Sequence, residues 1–358
     1  MSKLLIYGAN GYTGQLIAAA AKTQQLDFAI AGRNAEAINQ LAAQLGCEGL
    51  VFGLDSVDVI AQHLSPFNIV IHCAGPFSVT AEPMLQACLQ SQTHYLDITG
   101  EISVFERAQA LSEDAKNANV VLCPGVGFDV IPTDCVASQL KQRMPDAERL
   151  TLGFDSSSGL SPGTAKTSVE GLGQGGKVRQ NGVIQSVPLA YKCRTIDFGN
   201  GAKNAMTIPW GDVSTAYYST GIPNIEVYIP ISPRRAKSLR RLNWIRWLLA
   251  LAPVQNYLKR KMVQTSKGPN AEQRAALKTF VWGEVCNANG DCLTARITTA
   301  NGYELTYLGA LEVAKFMQSY RGEGGAFTPS TLIDNQLVER IPGSSAMEFT
   351  ASSGTPGA

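Results

Sequence analysis

Near the N-terminus a short apolar run, Leu4-Leu5-Ile6-Tyr7, breaks into Gly8-Ala9-Asn10-Gly11-Tyr12-Thr13-Gly14 and then into a helix-forming stretch. Three glycines at this spacing, between a strand and a helix, suit a phosphate-binding turn. Gly8 permits the tight turn, Gly11 lets the backbone approach a pyrophosphate, and Gly14 allows the helix to pack closely on the strand. The helix N-terminus then offers unsatisfied N–H groups and a partial positive charge to the phosphates. A second β-rich run follows within the next 20 residues, the context that distinguishes a dinucleotide site from an isolated glycine turn.

The rest of the first 125 residues fits that beginning. Strands are expected at Lys3–Tyr7, Phe28–Ala31, Leu50–Phe52, Ile69–Cys73, Tyr95–Asp97 and Val120–Cys123. Between them Ile38, Leu41 and Leu45 recur at helical spacing, as do Val104, Phe105, Ala108 and Leu111. Six strands joined by helices predict an α/β fold, a doubly wound parallel sheet of the Rossmann type. Beyond Pro132 the texture changes. A helix is expected over Thr133–Met144, then β-rich segments with Gly, Pro and Asn turns: RLTLGFD, NGVIQSVP, CRTIDFG, NAMTIPW, NIEVYIPI, FVWGEV and CLTARITT. Leu305–Tyr320 returns to helical period. The expected domains are therefore 1–132 (dinucleotide-binding), 133–303 (α+β, with a largely antiparallel or mixed sheet, for substrate binding or dimerisation) and 304–349 (a return onto the first domain). A disordered tail is expected at 350–358.

The second strand ends Ala31-Gly32-Arg33-Asn34. A site for NAD would place Asp or Glu here for the ribose 2′-hydroxyl, whereas the Arg33 guanidinium suits a 2′-phosphate. NADP is the expected cofactor, with NAD the alternative.

Three further motifs follow the fourth, fifth and sixth strands: Cys73-Ala74-Gly75-Pro76-Phe77, Tyr95-Leu96-Asp97-Ile98-Thr99-Gly100-Glu101, and Pro124-Gly125-Val126-Gly127-Phe128-Asp129. Together with GANGYTG and AGR, the chain resembles the saccharopine dehydrogenase-like oxidoreductases, in particular the branch of trans-acting enoyl reductases and saccharopine dehydrogenase-like oxidoreductases. The resemblance extends over nearly the whole chain except about 177–257. It implies that Gly8, Ala9, Asn10, Gly11, Tyr12 and Thr13 line the pyrophosphate loop and that Arg33 meets the adenosine ribose. It also implies that Asp55 lies near adenine, and Cys73, Ala74, Gly75 and Pro76 beside the nicotinamide ribose. The middle domain departs from the saccharopine-forming enzymes, because no cluster of arginines stands in position for several substrate carboxylates.

Hydride transfer asks the protein to orient substrate and to supply a proton. Candidate donors lie in the loops after the fifth and sixth strands: Tyr95, Asp97 and Asp129 first, then Thr99, Glu101 and Asp134. The same carboxylates could equally tie loops together through backbone N–H groups. Ser161–Thr167 reads as a helix start where Thr164 and Lys166 could hold an anionic substrate group, or as an ordinary capped helix. His63, His72 and His94 stand apart from other ligand residues, and His72 reads as a satisfied core residue, so no metal site is expected. Cys286 and Cys292 flank Asn289-Gly290. A two-residue turn there would put them on opposite sheet faces, and no disulfide is expected.

Lys+Arg at 30 against Asp+Glu at 29 argues against a nucleic-acid binder. That balance hides an asymmetry. No acidic residue stands between Glu226 and Glu272, a stretch holding ten basic ones, so the remainder of the chain carries about −9. Within it, 234–261 combines arginines and lysines with Trp244, Trp247, Leu248 and Leu251 on one expected helical face. Three readings stand: an interfacial helix on an anionic membrane, a lid over a lipid-like substrate, and an amphipathic helix packed on its domain. With no leader sequence visible, the expected location is cytoplasmic, with peripheral membrane attachment under the first reading.

The leading expectation is an NAD(P)H-dependent oxidoreductase acting on a hydrophobic, acyl or lipid-linked small molecule, with enoyl C=C reduction favoured; a homodimer is left open. The alternatives are a saccharopine-type C=N dehydrogenase, and a dinucleotide-binding, membrane-associated scaffold without turnover.

Overall fold

The computed structural model describes residues 3–157, 169, 171, 173–249, 251–265 and 269–353. The chain divides into two compact units, one formed by Met1–Ile131 and Tyr303–Asp334, the other by Pro132–Gly302 and Asn335–Ala358.

The first unit is built on strands β1 (Leu4–Tyr7), β2 (Phe28–Gly32), β3 (Glu48–Val51), β4 (Ile69–His72), β5 (His94–Asp97) and β6 (Val121–Cys123), joined late in the chain by β15 (Gly325–Ala326). All seven are parallel, in the order β15-β6-β5-β4-β1-β2-β3. Every residue of β1, β2 and β4 is buried. Helices cover both faces of such a sheet, which is why its central strands read as unbroken apolar runs rather than as alternation. The helices are α1 (Tyr12–Thr23), α2 (Ala35–Leu45), α3 (Val57–Leu64), α4 (Phe77–Ser91), α5 (Ile102–Ala110) and α6 (Ser112–Ala118). Helix α2 is bounded by two local signals. The Asn34 side chain accepts from the Ala37 N–H at its start, and Gly46 takes the left-handed conformation at its end. The strand order reverses between β1 and β4, and in sheets of this kind ligands bind outside the strand C-termini at such a switch point.

The second unit begins with the bulk of α7 (Ile131–Arg143), followed by β7 (Arg149–Ser156), β8 (Gly176–Gln180), β9 (Val183–Val187), β10 (Cys193–Asp197), β11 (Ala202–Thr207), β12 (Asn224–Pro230), β13 (Lys278–Cys286), β14 (Asp291–Ala300) and β16 (Glu348–Ser353). Seven strands run β10-β11-β12-β7-β13-β14-β16, and β8 and β9 attach beside β12. The β12–β7 pair is parallel and the others antiparallel, giving a mixed sheet. Helix α7 packs directly on β13: a Cβ added to Gly283 would stand 2.4 Å from Val136 Cγ1, so only glycine admits the helix this close.

In the segment NGVIQSVP, Asn181 and Gly182 both have positive φ and form the tight turn between β8 and β9. Three expectations change. The return to the first unit ends at Asp334, and the chain then goes back to the second unit. Thr350–Ser353, expected as tail, pairs with β14 in β16, Thr350 opposite Thr294; 354–358 lie outside the described residues. Finally, Cys286 and Cys292 form a disulfide. The turn between β13 and β14 leaves three residues between Asn287 and Asp291, with Gly290 at φ 90°, so Cys286 faces Cys292 directly. One residue of register decides the face, and a three-residue loop puts both sulfurs on the same one.

Candidate functional site

The site in the first unit starts at the loop between β1 and α1. Gly8 has φ +80° and its N–H donates to the Ala31 carbonyl at 2.8 Å, turning the chain sharply off the sheet. A Cβ on Gly14 would lie 2.4 Å from the Gly8 carbonyl oxygen and 2.8 Å from Ala9 Cα, both backbone atoms that cannot swing aside. Gly11 is exposed, and a Cβ there would meet only the Gly8 oxygen at 3.3 Å. No side chain caps α1, and its first turn holds no acidic residue. An anion is therefore favoured at this helix start, and nothing of like charge opposes it. The exposed Asn10 stands at the rim, with its Oδ1 beside Gly32.

The loop after β4 packs against the glycine loop. The Cys73 N–H donates to the Tyr7 carbonyl, and Ala74 packs so near Gly8 that a Cβ there would come within 2.8 Å of Ala74 N and Cβ. The Thr80 hydroxyl donates to the Ala74 carbonyl at 2.6 Å, with the Pro76 carbonyl 3.1 Å away, which pins the backbone around Gly75. Since that hydroxyl gives its proton to a carbonyl, His72 Nε2, at 3.0 Å, must be the donor to Thr80 Oγ1. His72 is fully buried, and burial pushes its pKa down to about 3. Its Nδ1 has no hydrogen-bond partner among the described residues, so His72 is a neutral core residue satisfied on one side only. Cys73 is likewise held as a thiol, its pKa pushed up by burial and by the nearby Asp97 charge.

Arg33 and Asp55 lie at the outer end. Arg33 directly follows β2, is exposed, and forms no ion pair among the described residues. The Asp55 carboxylate is exposed and folds over Gly53. Both charges reach the buried Tyr7 hydroxyl, whose pKa rises to about 12, chiefly through burial, with Arg33 lowering it and Asp55 raising it.

At the β5 and β6 ends stand the proposed proton carriers. Asp97 is fully buried: Oδ1 accepts from the Thr99 and Gly125 N–H groups, and Oδ2 accepts from the Tyr95 hydroxyl at 2.6 Å. Burial outweighs those three bonds and raises its pKa to about 7. Tyr95 is fully buried and its hydroxyl proton is committed to Asp97. Asp97 thus joins the β5 loop to the β6 loop through Oδ1, and Tyr95 holds its other oxygen. Asp129 differs in being partly exposed. Its pKa is also raised to about 7, by burial first and the Asp97 charge second. Its Oδ2 occupies the space a Gly100 side chain would fill, 2.6 Å from the position of that Cβ.

Glu101, the further candidate on the β5 loop, makes the backbone-tying bonds of the alternative reading for these carboxylates. Its carboxylate accepts from the Phe77 N–H at 2.9 Å and the Ser78 N–H at 2.8 Å, capping α4, which has no capping side chain of its own. Two contributors come from the C-terminal return and carry no local motif. Thr306 accepts from the Phe128 N–H at 3.0 Å and abuts Gly127, supporting the loop that bears Asp129, and Tyr303 packs edge-on against Tyr12 at 5.1 Å. Their only sequence signal is the helical period after residue 301. Asp134 is buried at the start of α7. Thr164 and Lys166 lie outside the described residues. No group of three His, Cys, Asp or Glu residues able to hold a metal occurs among the described residues.

A glycine cradle that excludes Cβ atoms, an uncapped helix start and a parallel sheet with its switch point at that loop define a Rossmann domain for a nicotinamide dinucleotide. Residues 4–123 match the family described as the saccharopine dehydrogenase NADP binding domain. It is 28% identical to the saccharopine dehydrogenase-like oxidoreductase of Mus musculus over 218 residues, 52% of this chain and 50% of that protein. It is 27% identical to the trans-acting enoyl reductase of Mycobacterium leprae over 151 residues, 39% of this chain and 36% of that one. The chain thus spans about half the length, or less, of these curated relatives. The apo saccharopine dehydrogenase (L-Glu forming) of Saccharomyces cerevisiae has the same fold, with a TM-score of 0.66 at 10% identity, over 98% of this chain and 100% of that one.

Proposed function

We propose that the protein is an NADP-dependent oxidoreductase that reduces a hydrophobic, acyl or lipid-linked substrate, with an enoyl C=C bond as the reacting group. The observation that carries the cofactor choice is Arg33, an exposed guanidinium directly after β2, where a site for NAD would hold an acid. Gly8–Gly14 would hold the pyrophosphate, Arg33 the 2′-phosphate, Asp55 the adenine side, and Cys73–Pro76 the nicotinamide ribose. The bound nicotinamide supplies the hydride. The chain's own contribution is the proton, and Asp129 gives it; support is that it is half-buried, on the loop at the C-terminal edge of the sheet, and half-protonated near neutral pH. Support for the enoyl class is the likeness to the Mycobacterium leprae trans-acting enoyl reductase.

The test is NADPH oxidation against a panel of enoyl-acyl and imine substrates. Turnover of enoyl-acyl compounds is expected. Turnover of imines alone would move the assignment to C=N reduction, and tight NADPH binding without turnover across the panel would make the protein a dinucleotide-binding scaffold. Arg33→Ala should weaken NADP binding by about tenfold or more while leaving NAD nearly unchanged. Equal loss for both would overturn the 2′-phosphate assignment.

A further inference from the structure

The segment between Glu226 and Glu272 is where the second unit departs from an ordinary protein surface. The single amphipathic helix expected over 234–261 is instead a series of short helices: Pro233–Leu242, a 3-10 turn at Asn243–Ile245, Arg246–Leu249, and Ala252–Thr265. Its aromatic residues do not pack inward. Trp244 is 87% exposed and Trp247 67%, and Ile245, Leu251 and Tyr257 are exposed beside them. Five of the eleven exposed large apolar side chains among the described residues thus fall within fourteen positions. The bland reading, a helix burying its aromatic face on its own domain, is excluded by these exposures.

The exposed face is held in place. The Asn243 side-chain amide accepts from the Leu189 N–H at 2.8 Å and donates to the Leu189 carbonyl at 3.1 Å, clamping both backbone groups of that residue. Arg240 donates to the Ala190 carbonyl at 2.9 Å. The turn bearing Trp244 is therefore tied down immediately before the indole, so the exposed tryptophan sits on an anchored support. Arg234, Arg235, Lys237 and Arg241 are exposed on the adjoining helix, and no acidic residue between 227 and 271 offsets them.

We infer that this face is a membrane-docking surface whose occupant is a phospholipid bilayer bearing anionic headgroups. Indole rings prefer the headgroup boundary, where an apolar body and a polar N–H are both accommodated, and exposed cations beside them are attracted to anionic lipid. The charge argument selects the occupant: a face with this many cations and no acid complements a negatively charged surface. No helix among the described residues is long and apolar enough to cross a membrane, so docking is at the surface.

The test uses the full chain and needs no nucleotide or substrate, so it stands apart from the proposed reaction. Vesicles of phosphatidylcholine with about one-third phosphatidylglycerol should carry the protein to the top of a flotation gradient at low salt. Pure phosphatidylcholine should not, and about 0.5 M salt should release it. Trp244→Ala/Trp247→Ala should reduce binding about tenfold or more, as should Arg234→Gln/Arg235→Gln/Lys237→Gln/Arg241→Gln. Unchanged thermal melting in both variants shows that the loss is local. Brominated lipid should quench tryptophan fluorescence in the wild type and not in Trp244→Phe/Trp247→Phe. Absence of flotation at low salt, or flotation unaffected by the tryptophan changes, would overturn the inference. So would tryptophan-dependent self-association in sedimentation velocity without vesicle binding, which would assign the face to a second copy of the chain.

Discussion

The Tyr95 hydroxyl donates to Asp97 Oδ2 at 2.6 Å, while two backbone N–H groups occupy Oδ1. Both side chains are fully buried, so the contact orients the Asp97 carboxylate, whose Oδ1 is the joint between the β5 and β6 loops, rather than presenting an exposed acid. Tyr95→Phe leaves Oδ2 buried without that partner, and Asp97→Asn presents an amide N–H₂ where an acceptor is needed. Each should cost about 1–3 kcal/mol of stability by denaturant unfolding. Equal stability of Tyr95→Phe and wild type would show that the contact carries no load.

The glycine loop separates packing from binding. A Cβ at Gly14 collides with two backbone atoms, whereas one at Gly11 meets a single oxygen at 3.3 Å. Gly14→Ala should therefore lower stability by about 1–3 kcal/mol or more and abolish dinucleotide binding. Gly11→Ala should leave thermal melting nearly unchanged and weaken binding selectively, because under the proposed function the added methyl would stand where the backbone approaches the pyrophosphate. Thermal melting and titration calorimetry on both variants distinguish the two effects.

Much of this loop and its sheet was readable from the residues alone. A strand covered on both faces must be apolar throughout, and β1, β2 and β4 announce themselves in that way. What was not legible depends on partners distant in the chain. Strand β15 is two residues, Gly325 and Ala326, with no pattern to read. Strand β16 takes its identity from β14 and not from its own polar sequence. Cys286 and Cys292 turned on one residue of loop length. Thr306 reaches Phe128 across 178 positions, a relation that only the fold creates. The basic segment had the right composition for three different roles, and exposure, which a sequence does not state, removed one of them.

Asp129 should impose a pH signature. Its carboxyl is raised from an ordinary 3.8 to about 7, so the folded protein binds that proton more tightly than the unfolded chain. The resulting stabilisation is complete below pH 3.8 and is lost as pH rises through about 7. Asp129→Asn should flatten the fall in stability over that interval. If Asp129 is the proton donor, kcat should drop by about 10²–10⁴ with NADPH affinity preserved, and the activity decline above about pH 7 should vanish. Gly100→Ala should reproduce part of the loss without removing the acid, because its methyl would occupy the Asp129 Oδ2 position. A wild-type pH profile in Asp129→Asn would remove the residue from the proton path.

Glu101 offers a test of how the loop Cys73–Pro76 is held. Its two oxygens accept from the Phe77 and Ser78 N–H groups, the first two of α4, at 2.9 and 2.8 Å. The helix begins after Pro76, which cannot cap it, so the cap is borrowed from a loop more than twenty residues later. A carboxylate suits the positive end of the helix and fills both acceptor positions, whereas glutamine offers one oxygen and turns an N–H₂ toward the second N–H. Glu101→Gln should thus cost about 0.5–2 kcal/mol and raise amide exchange at Phe77 and Ser78. Because Cys73–Pro76 leads directly into that helix, dinucleotide binding should weaken through this loop, while exchange at Gly11–Gly14 stays as in the wild type. Increased exchange spread evenly over both loops would mean that Glu101 supports the unit as a whole and not the α4 entry in particular.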